Sequence, residues 1–255
     1  MNIHYDSDSI GSFYSENRVK WEHFYPSEKY IFERVFTGQN GINTILDVGC
    51  ACGGLGRALS EQFEIEHYTG IDINSGSIEI AQKSQSNFPI AANFLCGDIA
   101  AHPDGLKHKK FDLVVSLSCA DWNCDTGKII ETCWDHTEND GTFVFSFRLT
   151  NQKTLGSLDE GYQYVHFNDV KELTGNEEIA PYVVSNALET LEMIENFLPR
   201  PQRVLGYGNW GAPSAMAVIP YKEVVFAVFA VKKSNNADKT IADLLFPLDL
   251  LVGQE

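Results

Sequence analysis

Short apolar runs alternate with helix-patterned segments through the middle of the chain. Thr44-Ile45-Leu46-Asp47-Val48 is a compact apolar strand that ends in a glycine-rich turn, and residues 55–62 behind it have helical spacing. The alternation continues with a strand over 68–72, a helix over 77–83 with Ile78 and Ala81 inward, and strands over 92–96 and 111–117. A helix carrying Ile129, Ile130, Cys133 and Trp134 behind an Asp125 cap comes next, then a strand over 142–147. Strands alternating with helices form a parallel sheet with helices on both faces, and continuous apolar strands suit burial on both faces.

Outside this core the pattern changes. Residues 1–24 are polar and aromatic with weak periodicity, after which Pro26-Ser27-Glu28 opens a helix with Ser27 as N-cap and Ile31, Phe32, Val35 and Phe36 inward. Residues 150–182 break the rhythm with polar sequence interspersed with Tyr162, Tyr164, His166, Phe167 and Tyr182, and read as an insert or lid. Val184, Ala187, Leu188, Leu191 and Ile194 mark another helix. Strands follow over 203–207 and 223–231; the loop between them is rich in Gly and Pro and holds no helix, so the two pair antiparallel. The expected organisation is an N-terminal helical cap (1–43), a main domain (44–232) containing the insert, and a tail (233–255) whose apolar run 244–248 packs on the body or on a partner.

Composition narrows the partners. A chain of 255 residues fits one large domain. Its 35 acidic residues against 19 basic ones give a net charge of −16, the wrong sign for displacing counterions from nucleic-acid phosphates. The dense basic cluster Lys107-His108-Lys109-Lys110 reads as a solvated turn. The six cysteines mostly lie beside apolar runs without zinc-site spacing, and read as reduced packing residues with no metal role. The N-terminus lacks a basic start and an apolar core, and no stretch is long enough to span a bilayer, so a cytoplasmic protein without membrane partners is expected.

The chemistry concentrates at the strand ends. Small residues in Gly49-Cys50-Ala51-Cys52-Gly53-Gly54 let the backbone approach a ligand, and the following helix turns its free N–H groups to the same point. Asp72 ends the second strand, where a carboxylate can accept from both ribose hydroxyls. That much also fits a dinucleotide fold. Asp47, however, stands before the glycines, where it would repel a pyrophosphate and suit a cation. Asp98, in Gly97-Asp98-Ile99, is placed to accept from an adenine amino group, and the terminal antiparallel pair departs from the doubly wound pattern.

With these motifs in order, the sequence resembles the class I, Rossmann-like S-adenosylmethionine (SAM)-dependent methyltransferases, well over residues 44–150 and by architecture alone over 184–232. The family's apolar pair and Asp-x-Gly-x-Gly-x-Gly matches Ile45 to Gly53, with Ala51 for the middle glycine, which requires a backbone that alanine tolerates. Phe111-Asp112-Leu113-Val114-Val115-Ser116 matches the family's strand four. The resemblance implies an α/β fold with a seven-stranded, mostly parallel sheet, helices on both faces and an antiparallel last strand. It further implies a site for SAM, and for its product S-adenosylhomocysteine, formed by Asp47, Gly49, Cys50, Ala51, Gly53, Asp72, Ile73, Asp98, Ile99 and Ser116, with Ile73 packing on the adenine.

SAM brings its own electrophilic methyl, so the protein has to align an acceptor and take its proton. Asp121 is a candidate base or a helix cap, Trp122 a wall of the site or core, and His166 a second candidate base. Arg148, past the fifth strand, suits a substrate anion, and Tyr164 of the insert is expected to face the substrate. Tyr14, Arg18, Trp21 and Tyr25 either cover the cofactor or pack. Cys119 lacks a Pro-Cys signature, and the Asn/Asp-Pro-Pro-Tyr/Phe motif of amino-methylating enzymes is missing. A small polar acceptor is expected, a hydroxyl or amine of a sugar or similar metabolite, with a homodimer as the candidate assembly. Two rival functions fit the same residues: a non-catalytic SAM-fold regulatory subunit, and a nicotinamide-dependent oxidoreductase with Asp72 on the NAD ribose.

Overall fold

The computed structural model describes residues 8–38, 41–165 and 177–252. Two helices, α1 (Asp8–Glu16) and α2 (Pro26–Gly38), precede the sheet. Then come β1 (Thr44–Val48), α3 (Gly54–Ser60), β2 (His67–Asp72), α4 (Ser75–Lys83), β3 (Ala91–Cys96), β4 (Phe111–Ser116), α5 (Thr126–His136) and β5 (Thr137–Thr150). The second half holds β6 (Tyr162–Tyr164), β7 (Ile179–Pro181), β8 (Ser185–Asn186), α6 (Ala187–Glu195), β9 (Pro201–Gly211), β10 (Ala217–Val218), β11 (Val224–Lys233) and β12 (Ile241–Leu245).

The main sheet runs β12-β9-β11-β5-β4-β1-β2-β3, with β8 against the end of β5. Strands β1 to β5 are parallel, and β11 is inserted antiparallel between β5 and β9. The mostly parallel α/β sheet with its antiparallel strand is thus the expected one, but it has nine strands among the described residues, where seven were expected. Short β8 accounts for one addition and the tail for the other. Strand β12 pairs parallel with β9, and Leu244 and Phe246 fill the gap left by Gly206, where a Cβ would stand 2.9 Å and 2.7 Å from them.

Alternation along the strands explains the layering. Leu46, Val114, Phe143 and Phe145 point to the face covered by α5 and α6, packing with Ile130, Trp134 and Phe229. Ile45, Leu113, Val115 and Val144 point to the other face, against α2, α3 and α4 through Ile31, Phe32, Leu59 and Ile78. Each such fully buried side chain contributes about 1.5–3 kcal/mol by transfer from water. Asp112 locks β4 to the start of β1: its Oδ2 accepts from Asn43 N (3.0 Å), Thr44 N (2.9 Å) and Thr44 Oγ1 (2.8 Å).

Two expected caps differ. Helix α2 starts at Pro26, whose missing N–H costs nothing at the first helical position, so Tyr25 rather than Ser27 is the N-cap. Glu28 closes it from inside, its Oε2 accepting from Tyr25 N at 2.8 Å. Asp125 precedes α5 without a side-chain capping bond. Among the described residues of the insert, β6 and β7 form a small sheet with β10 from the loop before β11, and it stands over the C-terminal edge of the main one.

Candidate functional site

Parallel strands end in register along one edge, and there a cavity of about 1130 Å³ opens. A single drug-sized ligand occupies a pocket of roughly 300–1,000 Å³, so a cofactor and an acceptor fit together.

One end is built by the turn after β1. Gly49 and Cys50 N–H groups donate to Ile71 O at 2.9 and 3.1 Å, and Gly53 N donates to Cys50 O at 2.8 Å. Gly49 has φ +78°, and a Cβ there would lie 2.6 Å from Cys119 Sγ, so the turn and the loop after β4 approach as closely as glycine permits. Gly53, at φ +79°, is needed for packing, because a Cβ would collide with Phe94 at 2.7 Å; it does not line the cavity. Ala51 departs from expectation. It sits at φ +45°, in the left-handed region, which directs its N–H onto Asp72 Oδ2 at 2.8 Å. A non-glycine residue there carries about 1–2 kcal/mol of strain. Ala51→Gly is therefore expected to leave the melting temperature unchanged or raise it by a few degrees, as thermal unfolding would show; a clear fall would contradict the strain.

Asp47, Asp72 and Asp98 all line this cavity. Asp72, half-buried, also accepts from Asn74 N at 2.8 Å through Oδ1. Burial pushes its carboxyl up, opposed by these backbone donors. Asp98 accepts from Ala100 N at 2.9 Å, capping the short turn that carries Ile99. Asp47 is buried and receives a short hydrogen bond from Tyr68 OH. Its pKa is raised to about 7, chiefly by burial with nearby Asp72 adding to the rise, against the Tyr68 hydrogen bond and the Arg18 charge, which hold it down. Cys50, Ala51 and Ile73 complete this wall.

The N-terminal segment closes the cavity from one side. A Cβ on Gly54 would overlap the Arg18 carbonyl, and Cys52 Sγ donates to Gly11 O at 3.4 Å, so this segment lies directly on the turn. Arg18 pairs with buried Glu28 at 2.7 Å and stacks over Phe24, 4.5 Å from the ring centroid. Arg18, Tyr14 and Tyr25 line the cavity, whereas Trp21 packs against Phe24, Phe32 and Phe63.

At the other end, Asp121 and Arg148 are each 5% exposed and form an ion pair, Arg148 Nε to Asp121 Oδ2 at 2.7 Å. Arg148 Nη2 also donates to the Asp121 carbonyl, and its guanidinium lies 3.7 Å from the Tyr182 ring centroid. Arg148 belongs to β5, which runs further than expected, and faces the cavity as half of this pair rather than as a free cation. Burial raises the Asp121 carboxyl, with Arg148 opposing. Trp122 and Tyr164 line the same end; Trp122 packs against Ile10, Val165 and Ala180.

Ser116 departs from its expected place. It is wholly buried within β4 and does not reach the cavity, because the strand ends there and Ser118, at φ +47°, turns the chain so that Leu117, Ser118 and Cys119 face the opening. His166 lies outside the described residues. Gln163 and Tyr182 were not among the expected site residues: both sit in the irregular insert, whose aromatic and polar alternation, Tyr182 included, was the advance signal.

Residues 45–141 match the methyltransferase domain family. Relatives include the malonyl-[acyl-carrier protein] O-methyltransferases of Brevibacillus brevis, 28% identical over 45% of this chain and 43% of that protein, and of Acetivibrio thermocellus, 29% identical over 60% and 53%. The chain spans about half the length of the curated relatives it matches. A SAM-dependent methyltransferase structure from Methanosarcina mazei shares the fold at TM-score 0.57 and 16% identity, over 83% of this chain and 98% of that one.

Proposed function

We propose that the chain carries a class I, Rossmann-like SAM-dependent methyltransferase domain and transfers the methyl group of SAM to a small polar acceptor held in the same cavity. The observation that carries this reading is the gathering of Asp47, Asp72 and Asp98 around one hollow at the strand ends. SAM carries a sulfonium, an ammonium group and ribose and adenine donors, and Asp47, Asp72 and Asp98 are carboxylates placed to receive them. A dinucleotide pyrophosphate would meet repulsion from the same groups.

Asp72 is assigned to the ribose hydroxyls, Asp98 to the adenine amino group, and Ile73 and Ile99 to the adenine faces. Asp47 takes the cationic amino-acid end, and Arg18 its carboxylate. Gly49, Cys50 and Ala51 bring backbone within contact distance. When bound, SAM supplies an activated methyl on sulfur. The chain's own work is to exclude water with the N-terminal segment and the insert, to hold the acceptor against Trp122, Tyr164 and the Arg148–Asp121 pair, and to receive a proton at Asp121. The aromatic wall favours an acceptor with an apolar body and a polar head over the sugar expected at first.

Calorimetric titration with SAM tests this reading. Attraction for the cation requires the Asp47 carboxylate, and that carboxylate is lost as pH falls through its pKa of about 7. Affinity is therefore expected to hold above pH 7 and to fall below it, by about tenfold per pH unit at the limit. Tyr68→Phe removes a hydrogen bond that favours the ionised form, and should move the fall to higher pH. No SAM binding, or an affinity that is flat from acid to alkaline pH, would count against it.

A further inference from the structure

Two buried polar atoms in the acceptor end of the cavity lack partners. Among the described residues, neither Asp121 Oδ1 nor Gln163 Nε2 has a hydrogen-bond partner, although both residues line the cavity and are only 5% and 4% exposed. Leaving such atoms unsatisfied in a buried setting is unfavourable, so they mark what a ligand supplies. The topology brings the two residues to the same end of the cavity. Gln163 pairs across to Ala180, Ala180 packs near Trp122, and Val183 N donates to the Asp121 carbonyl at 3.2 Å. Asp121 Oδ1 is an acceptor and Gln163 Nε2 a donor.

We infer that these two atoms hold the methyl acceptor by a hydroxyl group, so that the enzyme is an O-methyltransferase of alcohols or phenols. The inference rests on the methyltransferase reading above and narrows it. A hydroxyl both donates and accepts, so one group satisfies both atoms. It also has two lone pairs: one accepts from Gln163 Nε2 and the other remains for attack. An amine has a single lone pair, which Gln163 would occupy, and an ammonium would leave Nε2 unsatisfied. A carboxylate finds the Arg148 charge already matched by Asp121 at 2.7 Å and meets the bare Oδ1 as a like charge in a buried setting. Attack by the hydroxyl oxygen forms the O–CH₃ bond as the S–CH₃ bond breaks and its electron pair returns to sulfur. The hydroxyl proton passes to Asp121 Oδ1, which leaves a neutral acid beside Arg148 and a neutral thioether product.

Ligand-observed NMR titration of the full chain, saturated with S-adenosylhomocysteine, tests this with phenol, benzoate and benzylammonium as probes. Phenol is expected to bind more tightly than either ion by about tenfold, and Gln163→Leu should weaken phenol by a similar factor without changing S-adenosylhomocysteine affinity. The wild-type ranking is decisive even where the variant fails to fold. Tighter binding of benzoate or benzylammonium, or phenol binding indifferent to a folded Gln163→Leu, would overturn the hydroxyl assignment while leaving the methyltransferase reading intact. A wild-type protein that binds no S-adenosylhomocysteine would instead overturn the methyltransferase reading on which the assignment stands.

Discussion

Replacing Asp72 with alanine is expected to weaken SAM binding by about 10- to 100-fold, since hydrogen bonds to a charged group are worth about 1.5–3 kcal/mol and each 1.4 kcal/mol is tenfold in affinity. Two losses combine. The proposed ribose acceptor disappears, and so does the carboxylate that orients the turn through Ala51 N and Asn74 N, both at 2.8 Å. The Ala51 N–H reaches Asp72 from a left-handed backbone, so the turn's geometry is built around this carboxylate. Asp72→Asn retains one carbonyl oxygen and should lose less. Calorimetry on folded variants checks both, and an Asp72→Ala protein that binds SAM as tightly as the parent would remove Asp72 from the cofactor site.

The second large effect concerns stability. Arg148→Met should lower stability by about 3–5 kcal/mol, because it leaves the Asp121 carboxylate buried without its counter-ion. For a chain of this size that is a fall in melting temperature of about 10 °C. Lysine at 148 should rescue little, since it cannot reproduce the planar fork that reaches Asp121 Oδ2 and the Asp121 carbonyl while lying over Tyr182. Removing both charges, as Asp121→Leu with Arg148→Met, should recover much of the loss. Thermal unfolding of the three variants checks the pattern, and a single Arg148→Met variant as stable as the parent would contradict a buried, mutually dependent pair.

The elements from β1 to β5 were legible because each is specified locally. A five-residue apolar run, a turn of small residues and a helix with regular spacing leave few choices, and parallel strands then place Asp47, Asp72 and Asp98 at one edge without further information. Local pattern was less informative where a distant contact decides. Strand β12 exists because Gly206, far away in sequence, leaves room for Leu244 and Phe246. Strand β6 is only three residues long and is stabilised by β7 and β10, so Gln163 could not be recognised as facing a cavity. Ser116 and Ala51 depart from expectation for a shared reason: each lies in or beside a turn with a positive φ, at Ser118 and at Ala51 itself, which neither residue type announces. Asp121 was recognised as chemically interesting, but its pairing with Arg148 required knowing that β5 extends to Thr150.

A crystal structure of the protein grown with S-adenosylhomocysteine addresses the electrostatic proposal at its root. The nucleoside should lie across the ends of β1, β2 and β3, with its ribose hydroxyls on Asp72, its adenine beside Asp98 and its amino group toward Asp47. A molecule bound elsewhere, or one whose ribose and amino group avoid these carboxylates, would contradict it.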